Sequence, residues 1–172
     1  MDLLESRPAR PRRKSRRTAL AAGMAALATV GGCFAQVDEN SLKAAFVYNI
    51  IAFSQWDHPP DDPLTICVQT DPALLAAMGT LRAKRLDGRS LRVTDGSAQS
   101  DCDVRVHDAQ TSVIPAANVL IICDACQLPN HTSAVALVRE GNKLRFDVDV
   151  ARARSDRILL SSQLLRLARR AL

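Results

Sequence analysis

Val119-Leu120-Ile121-Ile122-Cys123 is an uninterrupted apolar run in a chain of 172 residues. A strand that is covered on both faces has this composition, because neither face meets water. Leu64-Thr65-Ile66-Cys67-Val68 is a second short stretch, enriched in β-branched residues, and it also predicts a strand. Cys102-Asp103-Val104-Arg105-Val106 alternates apolar and polar residues, as a half-exposed strand does. These stretches predict a sheet whose central strand is buried on both faces.

A turn at Gly141-Asn142 lies between two further strand patterns, at residues 134–138 and 144–150. This arrangement predicts a β-hairpin. In its second strand Asp147 and Asp149 alternate with apolar residues, so the two carboxylates share one face. Paired carboxylates serve in acid–base catalysis, but a solvated strand face is the ordinary explanation.

Three stretches have helical patterns. The first follows Asp38-Glu39-Asn40-Ser41, a good N-cap with an acidic first turn, and ends at Asp57-His58-Pro59-Pro60, since proline interrupts the hydrogen-bond ladder. Its predicted buried face consists of Leu42, Ala45, Phe46, Asn49, Ile50, Phe53 and Trp56. A short helix is predicted after Asp71, with Pro72 at its first position. A last helix is predicted over residues 156–172, and its predicted buried residues are Leu160, Leu164, Leu167 and Ala168.

Helical and strand patterns are interspersed along the chain, which predicts the α/β class. The length fits one domain with a modest core. We expect residues 36–172 to form a single domain, with a mixed β-sheet, helices packed on its faces and disulfides that brace it.

The first 35 residues predict a cleaved secretory signal peptide. They carry seven Lys or Arg and two Asp or Glu, then an uncharged apolar stretch at residues 19–30 and an end of small residues. The apolar stretch is too short to span a bilayer. Cleavage after Ala35 is favoured. The alternative is a lipid anchor at Cys33, because Val30-Gly31-Gly32-Cys33 is somewhat similar to a bacterial lipobox.

Without residues 1–35 the chain is neutral, with 16 basic and 16 acidic side chains. Binding to nucleic acid needs a surplus of Lys and Arg on one face. We therefore expect no nucleic-acid partner for the exported chain.

Four cysteines remain after the predicted cleavage: Cys67, Cys102, Cys123 and Cys126. An even number in an exported chain predicts two disulfides, and the sequence leaves all three pairings open. Cys123 and Cys126 also form a C-x-x-C motif, as in thioredoxin-like oxidoreductases, which need the first cysteine at a helix N-terminus. Residues 127–131 have no long helical period, so a local structural disulfide is favoured. Oxidation competes with thiolate ligation, which disfavours zinc.

His58, His107 and His131 are isolated in the sequence, and we expect surface positions for them. The chain contains no glycine-rich phosphate loop, no H-E-x-x-H and no G-x-S-x-G. We therefore predict no catalytic residue, no metal site and no cofactor.

Two parts of the chain resemble the YfiR family. Residues 42–56, LKAAFVYNIIAFSQW, are similar to the opening helix of that family, approximately LKAAFLYNFAKFVEWP. Residues 144–149, LRFDVD, and residues 161–168, SSQLLRLA, are similar to its closing signature, RFEIN followed by ISSKLLxLA. The resemblance covers essentially the whole exported chain, in order.

Members of the YfiR family are small exported periplasmic proteins, and the type member holds an inner-membrane diguanylate cyclase inactive by binding its periplasmic part. The resemblance implies a non-enzymatic periplasmic repressor, dimeric, whose partner is the periplasmic domain of a diguanylate cyclase or a sensor kinase. It also pairs Cys67 with Cys102, as a structural staple or as a redox-sensitive latch. By analogy, the partner surface includes Arg145, Phe146, Asp147 and Asp149, with the loop before the last helix.

This chain departs from the family pattern at several positions. Ala52 replaces a lysine, Trp56-Asp57-His58-Pro59 interrupts a Trp-Pro pair, Asp149 replaces an asparagine, and Arg157 replaces a glycine before the last helix. Cys123-Asp124-Ala125-Cys126 has no counterpart in that pattern. These departures leave open an alternative function, a periplasmic thiol–disulfide oxidoreductase that uses Cys123 and Cys126.

Overall fold

The computed structural model describes residues 38–97 and 101–172, which belong to one compact unit. The predicted signal peptide and its cleavage site lie outside the described residues and stay predictions. The helices are α1 (Glu39–Ala52), α2 (Pro72–Met78), α3 (Val150–Ser155) and α4 (Ser162–Leu167), and a 3₁₀ turn spans Gly79–Ala83. The strands are β1 (Ser54–Trp56), β2 (Leu64–Gln69), β3 (Arg85–Leu86), β4 (Arg89–Thr94), β5 (Val104–Asp108), β6 (Leu120–Asp124), β7 (Val135–Glu140), β8 (Lys143–Val148), β9 (Ile158–Leu160) and β10 (Arg170–Ala171).

Eight strands form one mixed sheet in the order β10-β8-β7-β6-β5-β2-β4-β3, and β1 pairs with β9 in a separate ribbon. The strands β4, β2, β5, β6 and β7 are parallel, whereas β8 is antiparallel to β7 and β3 is antiparallel to β4. The apolar run that predicted a covered strand is β6, and all of its residues are buried. The mixed sheet and its helices confirm the predicted α/β class.

The helices lie on one face of the sheet. Their buried residues join a single apolar core with alternate residues of the strands, such as Leu120 and Ile122 of β6. The intervening Ile121 points to the opposite face, where it is also buried. On that second face Leu128 and Cys126, which follow β6, pack against Ala136 and Val138 of β7. The segment after β6 therefore covers part of this face with apolar side chains, whereas helices cover the first face.

Helix α1 begins where the sequence predicts, but it ends earlier than predicted and buries a different face. The carboxylate of Asp38 accepts a hydrogen bond from the backbone of Ser41 at 3.2 Å, which caps the helix. The helix ends at Ala52, because the next residues form β1 and pair with β9. Its buried residues are Ala44, Val47, Ile50 and Ile51. The predicted buried face was therefore wrong for Leu42, Ala45 and Asn49, which are exposed. The small side chain of Ala44 faces the core instead.

The single helix predicted over residues 156–172 is wrong. Helix α3 ends at Ser155, and Arg157 then adopts a φ of +60°, a left-handed conformation that cannot continue a helix. Strand β9 follows, and Ser161 starts α4 by accepting a hydrogen bond from the backbone of Leu164 at 3.2 Å. Leu164 is buried as predicted, but Leu167 is 64% exposed.

The hairpin and the short helix are confirmed. Strands β7 and β8 are antiparallel with Glu140 opposite Lys143, and Gly141 between them has a φ of +59°, which suits glycine. At α2, the carboxylate of Asp71 accepts hydrogen bonds from two backbone amides, and Pro72 is the first helical residue.

Candidate partner-binding groove

Helices α1 and α4 and strand β8 enclose an open apolar groove, which we call the α1–α4 groove. Its volume is about 400 Å³. The residues that line it are Phe46, Asn49, Ile50, Phe53, Arg145, Phe146, Leu164 and Leu167. Six of these are apolar, and Asn49 and Arg145 are the polar members. A contiguous apolar groove that is open to solvent is a candidate protein-binding site.

The groove depends on the orientation of α1, which differs from the predicted one. Phe46 and Phe53 lie at the border between the buried side of α1 and solvent, and both are half-buried. Phe46 also contacts Phe146 of β8 edge to face, with 6.1 Å between the ring centroids. On the opposite wall, α4 ends at Leu167 and leaves that side chain in solvent.

Two of the four predicted partner-binding residues line the groove, and the other two do not. Arg145 and Phe146 belong to the lining. Asp147 is fully buried, and the half-buried Asp149 caps α3, since its Oδ1 accepts a hydrogen bond from the backbone of Arg152 at 2.8 Å. Partner binding by these residues stays a prediction. Burial limits Asp147 to positioning other groups.

Asp147, Arg169 and Arg170 form an ionic group with a buried carboxylate and two partly exposed arginines, which we call the Asp147 cluster. Arg169 donates from Nε to Oδ1 at 2.8 Å and from Nη2 to Oδ2 at 2.5 Å. Arg170 donates to Oδ2 from Nε at 3.0 Å and from Nη2 at 2.5 Å. The hydrogen bonds from Arg169 hold the pKa of Asp147 below its ordinary value, although burial of the carboxylate opposes this. The cluster fixes β10 against β8.

The surface beside the groove has a positive excess. Arg145 Nε and Arg169 Nη1 each lie 3.9 Å from a carboxylate oxygen of Glu140. Lys143 is opposite Glu140 in the hairpin and adds a third positive charge. One exposed carboxylate therefore faces three basic side chains at this end of β8.

An ion pair that the sequence did not predict links α1 to the sheet. Lys43 Nζ donates to Oδ2 of Asp124 at 2.8 Å, and the two side chains are only 13% and 10% exposed. Burial alone would lower the pKa of Lys43, but the hydrogen bond to Asp124 and the carboxylates of Asp124 and Glu39 raise it above its ordinary value. The signal for this pair was a lysine beside a buried helix position and an aspartate directly after a buried strand.

The structure brings the four cysteines together as Cys67–Cys102 and Cys123–Cys126. The Cα atoms are 5.7 Å apart in each pair, within the range for disulfides. Cys67, Cys102 and Cys123 are buried, whereas Cys126 is half-buried and lines two surface cavities. Both pairs are at disulfide distance, as the prediction of two disulfides requires, and the first is the pair that the resemblance implied.

The surroundings of Cys123 differ from those of a dithiol oxidoreductase. Cys123 is fully buried at the end of β6, and residues 125–134 form turns and irregular structure rather than a helix. No helix dipole is therefore available there to stabilise a thiolate, which such enzymes require. The geometry favours a structural role for this disulfide.

The family profile described as YfiR/HmsC-like, DUF4154, matches residues 40–169, which is most of the chain. The chain belongs to the YfiR/HmsC-like family. The matched range contains both disulfides and every residue that lines the α1–α4 groove. The comparison with curated proteins finds no significant match.

Membership of the YfiR/HmsC-like family supports a regulatory role rather than a catalytic one. At the level of the family, it also supports periplasmic location and interaction with a membrane signalling protein. None of the helices in residues 38–97 and 101–172 is long and apolar enough to cross a membrane. The same residues contain no group of three His, Cys, Asp or Glu side chains arranged to hold a metal ion.

His107 is buried, so the expectation of a surface position was wrong for this histidine; His58 and His131 are exposed as expected. Nδ1 lies 2.8 Å from the carbonyl oxygen of Asp108, which can only accept, so Nδ1 carries the proton in the neutral ring. Nε2 then accepts a hydrogen bond from the hydroxyl of Ser133 at 2.9 Å. Ser133 is fully buried, which keeps this hydroxyl from any substrate.

The two disulfides of this YfiR/HmsC-like chain should react with reductant in a fixed order. Cys126 is the most exposed of the four bonded cysteines, so a thiolate can reach its sulfur first. We expect graded reduction of the folded protein, followed by alkylation and mass spectrometry, to label Cys123 and Cys126 before Cys67 and Cys102. Labelling of Cys67 and Cys102 first, or of all four together in folded protein, would contradict this.

Proposed function

We propose that this chain is an exported periplasmic regulator that represses an inner-membrane signalling enzyme by binding its periplasmic domain, with a diguanylate cyclase as the first candidate. The observation that carries the proposal is the α1–α4 groove. Its walls come from the two stretches that resemble the YfiR family, the opening helix and the closing segment. Sequence similarity and apolar exposed surface therefore coincide at one place.

Repression by such a protein is a shift in a population. A repressor that prefers the inactive form of its partner by about 2.7 kcal/mol changes the ratio of active to inactive partner roughly a hundredfold. Aromatic side chains at a concave site, such as Phe46 and Phe53, supply large contact areas at little cost in side-chain entropy. The groove is thus suited to distinguish two forms of a partner that present different apolar surfaces.

Leu167→Glu should abolish repression and leave the fold intact. Leu167 is 64% exposed, so the change should alter the free energy of unfolding by less than about 0.5 kcal/mol. A charge in the groove would have to be desolvated when the partner binds, which weakens binding. We expect deletion of the gene to raise cyclic di-GMP, the natural chain to restore the low level, and the variant to fail.

Leu159→Glu is the matched control. Leu159 is 58% exposed in β9 and does not line the groove, so this variant should repress normally. Normal repression by Leu167→Glu would contradict the assignment of the groove. Unchanged cyclic di-GMP in the deletion strain would contradict a cyclase partner.

A further inference from the structure

One edge of strand β8 carries backbone groups that point away from the sheet. Glu140 and Lys143 flank a two-residue turn, so they form a hydrogen-bonded pair of the hairpin. Hydrogen-bonded and non-bonded pairs alternate along an antiparallel ladder. The N–H and C=O groups of Leu144, Phe146 and Val148 therefore point to the side of β8 opposite β7.

Strand β10 covers only part of this edge. The carbonyls of Phe146 and Val148 accept hydrogen bonds at 2.8 Å from the backbone amides of Arg169 and Leu172. Leu144 lies beyond the start of β10, and no strand of the described chain runs beside it. Its amide and carbonyl are therefore left as a short open edge, and open strand edges are templates for pairing with another chain.

The open edge adjoins the α1–α4 groove, since Arg145 and Phe146 line that groove directly after Leu144. Side chains alternate between the two faces of a strand, so Phe146 faces the helices. Arg145 borders the groove, but its Nε turns to the other face and lies 3.9 Å from Glu140. The side chains of a strand added at this edge would alternate between the same two faces. Every second side chain would point into the groove, and those between would meet the basic side of β8.

Charge at the edge favours one kind of partner strand. Lys143, Arg145 and Arg169 are basic. Among the described residues, Glu140 is the one exposed carboxylate within 4 Å of these two arginines. Asp147 is fully buried and is already bonded to Arg169 and a second arginine, so it offers nothing to a partner. An acidic segment fits this edge, and a basic one is repelled.

We propose that an extended segment of the partner, with alternating acidic and apolar residues, adds as a strand to β8 beside Leu144. Its backbone bonds the amide and carbonyl of Leu144, an apolar side chain enters the α1–α4 groove, and its carboxylates face Lys143 and Arg145. This is the β-augmentation mode of peptide recognition, in which main-chain bonds provide affinity and side-chain pockets provide specificity. The inference rests on the proposed function, because it states how the same groove holds the partner.

Amide hydrogen exchange, measured by NMR on the full chain, tests this proposal. The probes are two synthetic peptides that share their apolar residues, Asp-Val-Glu-Leu-Asp-Val and Lys-Val-Lys-Leu-Lys-Val. In the free protein the Leu144 amide should exchange rapidly, whereas the Arg145 amide, paired with Val138, should be protected. The acidic peptide should slow exchange at Leu144 at least about tenfold, and the basic peptide should bind at least about tenfold more weakly.

The variants Leu167→Glu and Leu159→Glu provide controls in the same assay. The first should lose protection of Leu144 by the acidic peptide, because its groove rejects the apolar side chain, and the second should keep it. Saturation of the groove by the acidic peptide without protection of Leu144 would overturn strand addition. Equal binding of the basic peptide, or no binding of the acidic peptide at millimolar concentration, would also overturn it.

A second copy of this chain is the other possible occupant of the edge. In that case the Leu144 amide would be protected without peptide, and the protection would increase with protein concentration. That result would overturn the proposed partner strand. These failures are separable from failure of the proposed function, since repression measured with Leu167→Glu reports on the groove whether or not a strand is added.

Discussion

Replacing Asp147 by asparagine should lower the free energy of unfolding by about 1–3 kcal/mol, the cost of leaving a buried side chain with imperfect hydrogen bonds, because the two arginines are partly exposed and stay hydrated. Asp147 is fully buried and accepts four hydrogen bonds from Arg169 and Arg170. Asparagine would present an amide to two guanidinium groups that can only donate. Urea denaturation followed by circular dichroism measures the effect, with the midpoint and slope determined separately.

Asp149→Asn is the matched control for this substitution. Asp149 lies two residues further along and caps α3, and asparagine caps helices as well as aspartate does. We expect a loss below about 0.5 kcal/mol for the control. Equal effects at the two positions would contradict the structural role given to the Asp147 cluster. If Asp147→Asn does not fold, Arg170→Gln provides a milder test, because Arg169 keeps its two hydrogen bonds to the carboxylate.

The difference in stability between the natural chain and Asp147→Asn should depend on pH. Hydrogen bonds from Arg169 lower the pKa of Asp147 in the folded state, relative to about 3.9 in an unfolded chain. The stabilisation is therefore fully present above that value and is lost as the pH falls through the folded pKa. The difference in stability between the natural chain and Asp147→Asn should stay constant from neutral pH to about pH 5 and shrink below about pH 4. A difference that grew on acidification would contradict the lowered pKa.

Apolar composition along the chain was enough to predict the central strands of the sheet. The run that forms β6 is buried on both faces, so its pattern does not depend on which neighbour covers which side. The hairpin of β7 and β8 depends on a local turn at Gly141, which the sequence also shows. Local turn chemistry and continuous apolar runs can be interpreted without knowledge of the tertiary contacts.

The groove could not be predicted, because it depends on the orientation of α1. Spacing alone permits two neighbouring faces of α1 to be buried, and the large side chains of Phe46 and Phe53 favoured the wrong one. The structure buries the face with Ala44, where a small residue allows close packing, and leaves the aromatic residues at the border. Half-buried aromatic residues thus mislead any prediction that equates large apolar side chains with the core.

The end of the chain was mispredicted for a local reason. Arg157 has a left-handed φ of +60°, and the family pattern places a glycine at this position. Glycine would have indicated the break between α3 and β9, whereas arginine is compatible with a helix and gave no sign of the break. The error hid one wall of the groove, since Leu167 then seemed to belong to a buried helical face. The same error hid the burial of Asp147, because its partners Arg169 and Arg170 were assigned to the predicted helix.

Replacing both Cys67 and Cys102 by alanine should lower the free energy of unfolding by roughly 4 kcal/mol, because this disulfide closes a loop with a sequence separation of 35. Replacing both Cys123 and Cys126 should cost only roughly 1.5 kcal/mol, since their separation is 3. Alanine at both members of a pair leaves no free thiol to form new disulfides. Urea denaturation of the two double variants measures the difference, and an equal or larger loss for the Cys123 and Cys126 pair would contradict the ordering.

The Cys67–Cys102 variant also distinguishes a staple from a latch. Both cysteines are buried at β2 and before β5, on the sheet face opposite the helices and therefore opposite the α1–α4 groove. If the bond only constrains the unfolded chain, the variant should lose stability and still repress at temperatures where it is folded. If the bond holds the groove in its binding form, repression should fail in folded protein. The position of Cys67 away from the groove favours the first result, and a folded variant that cannot repress would establish the second.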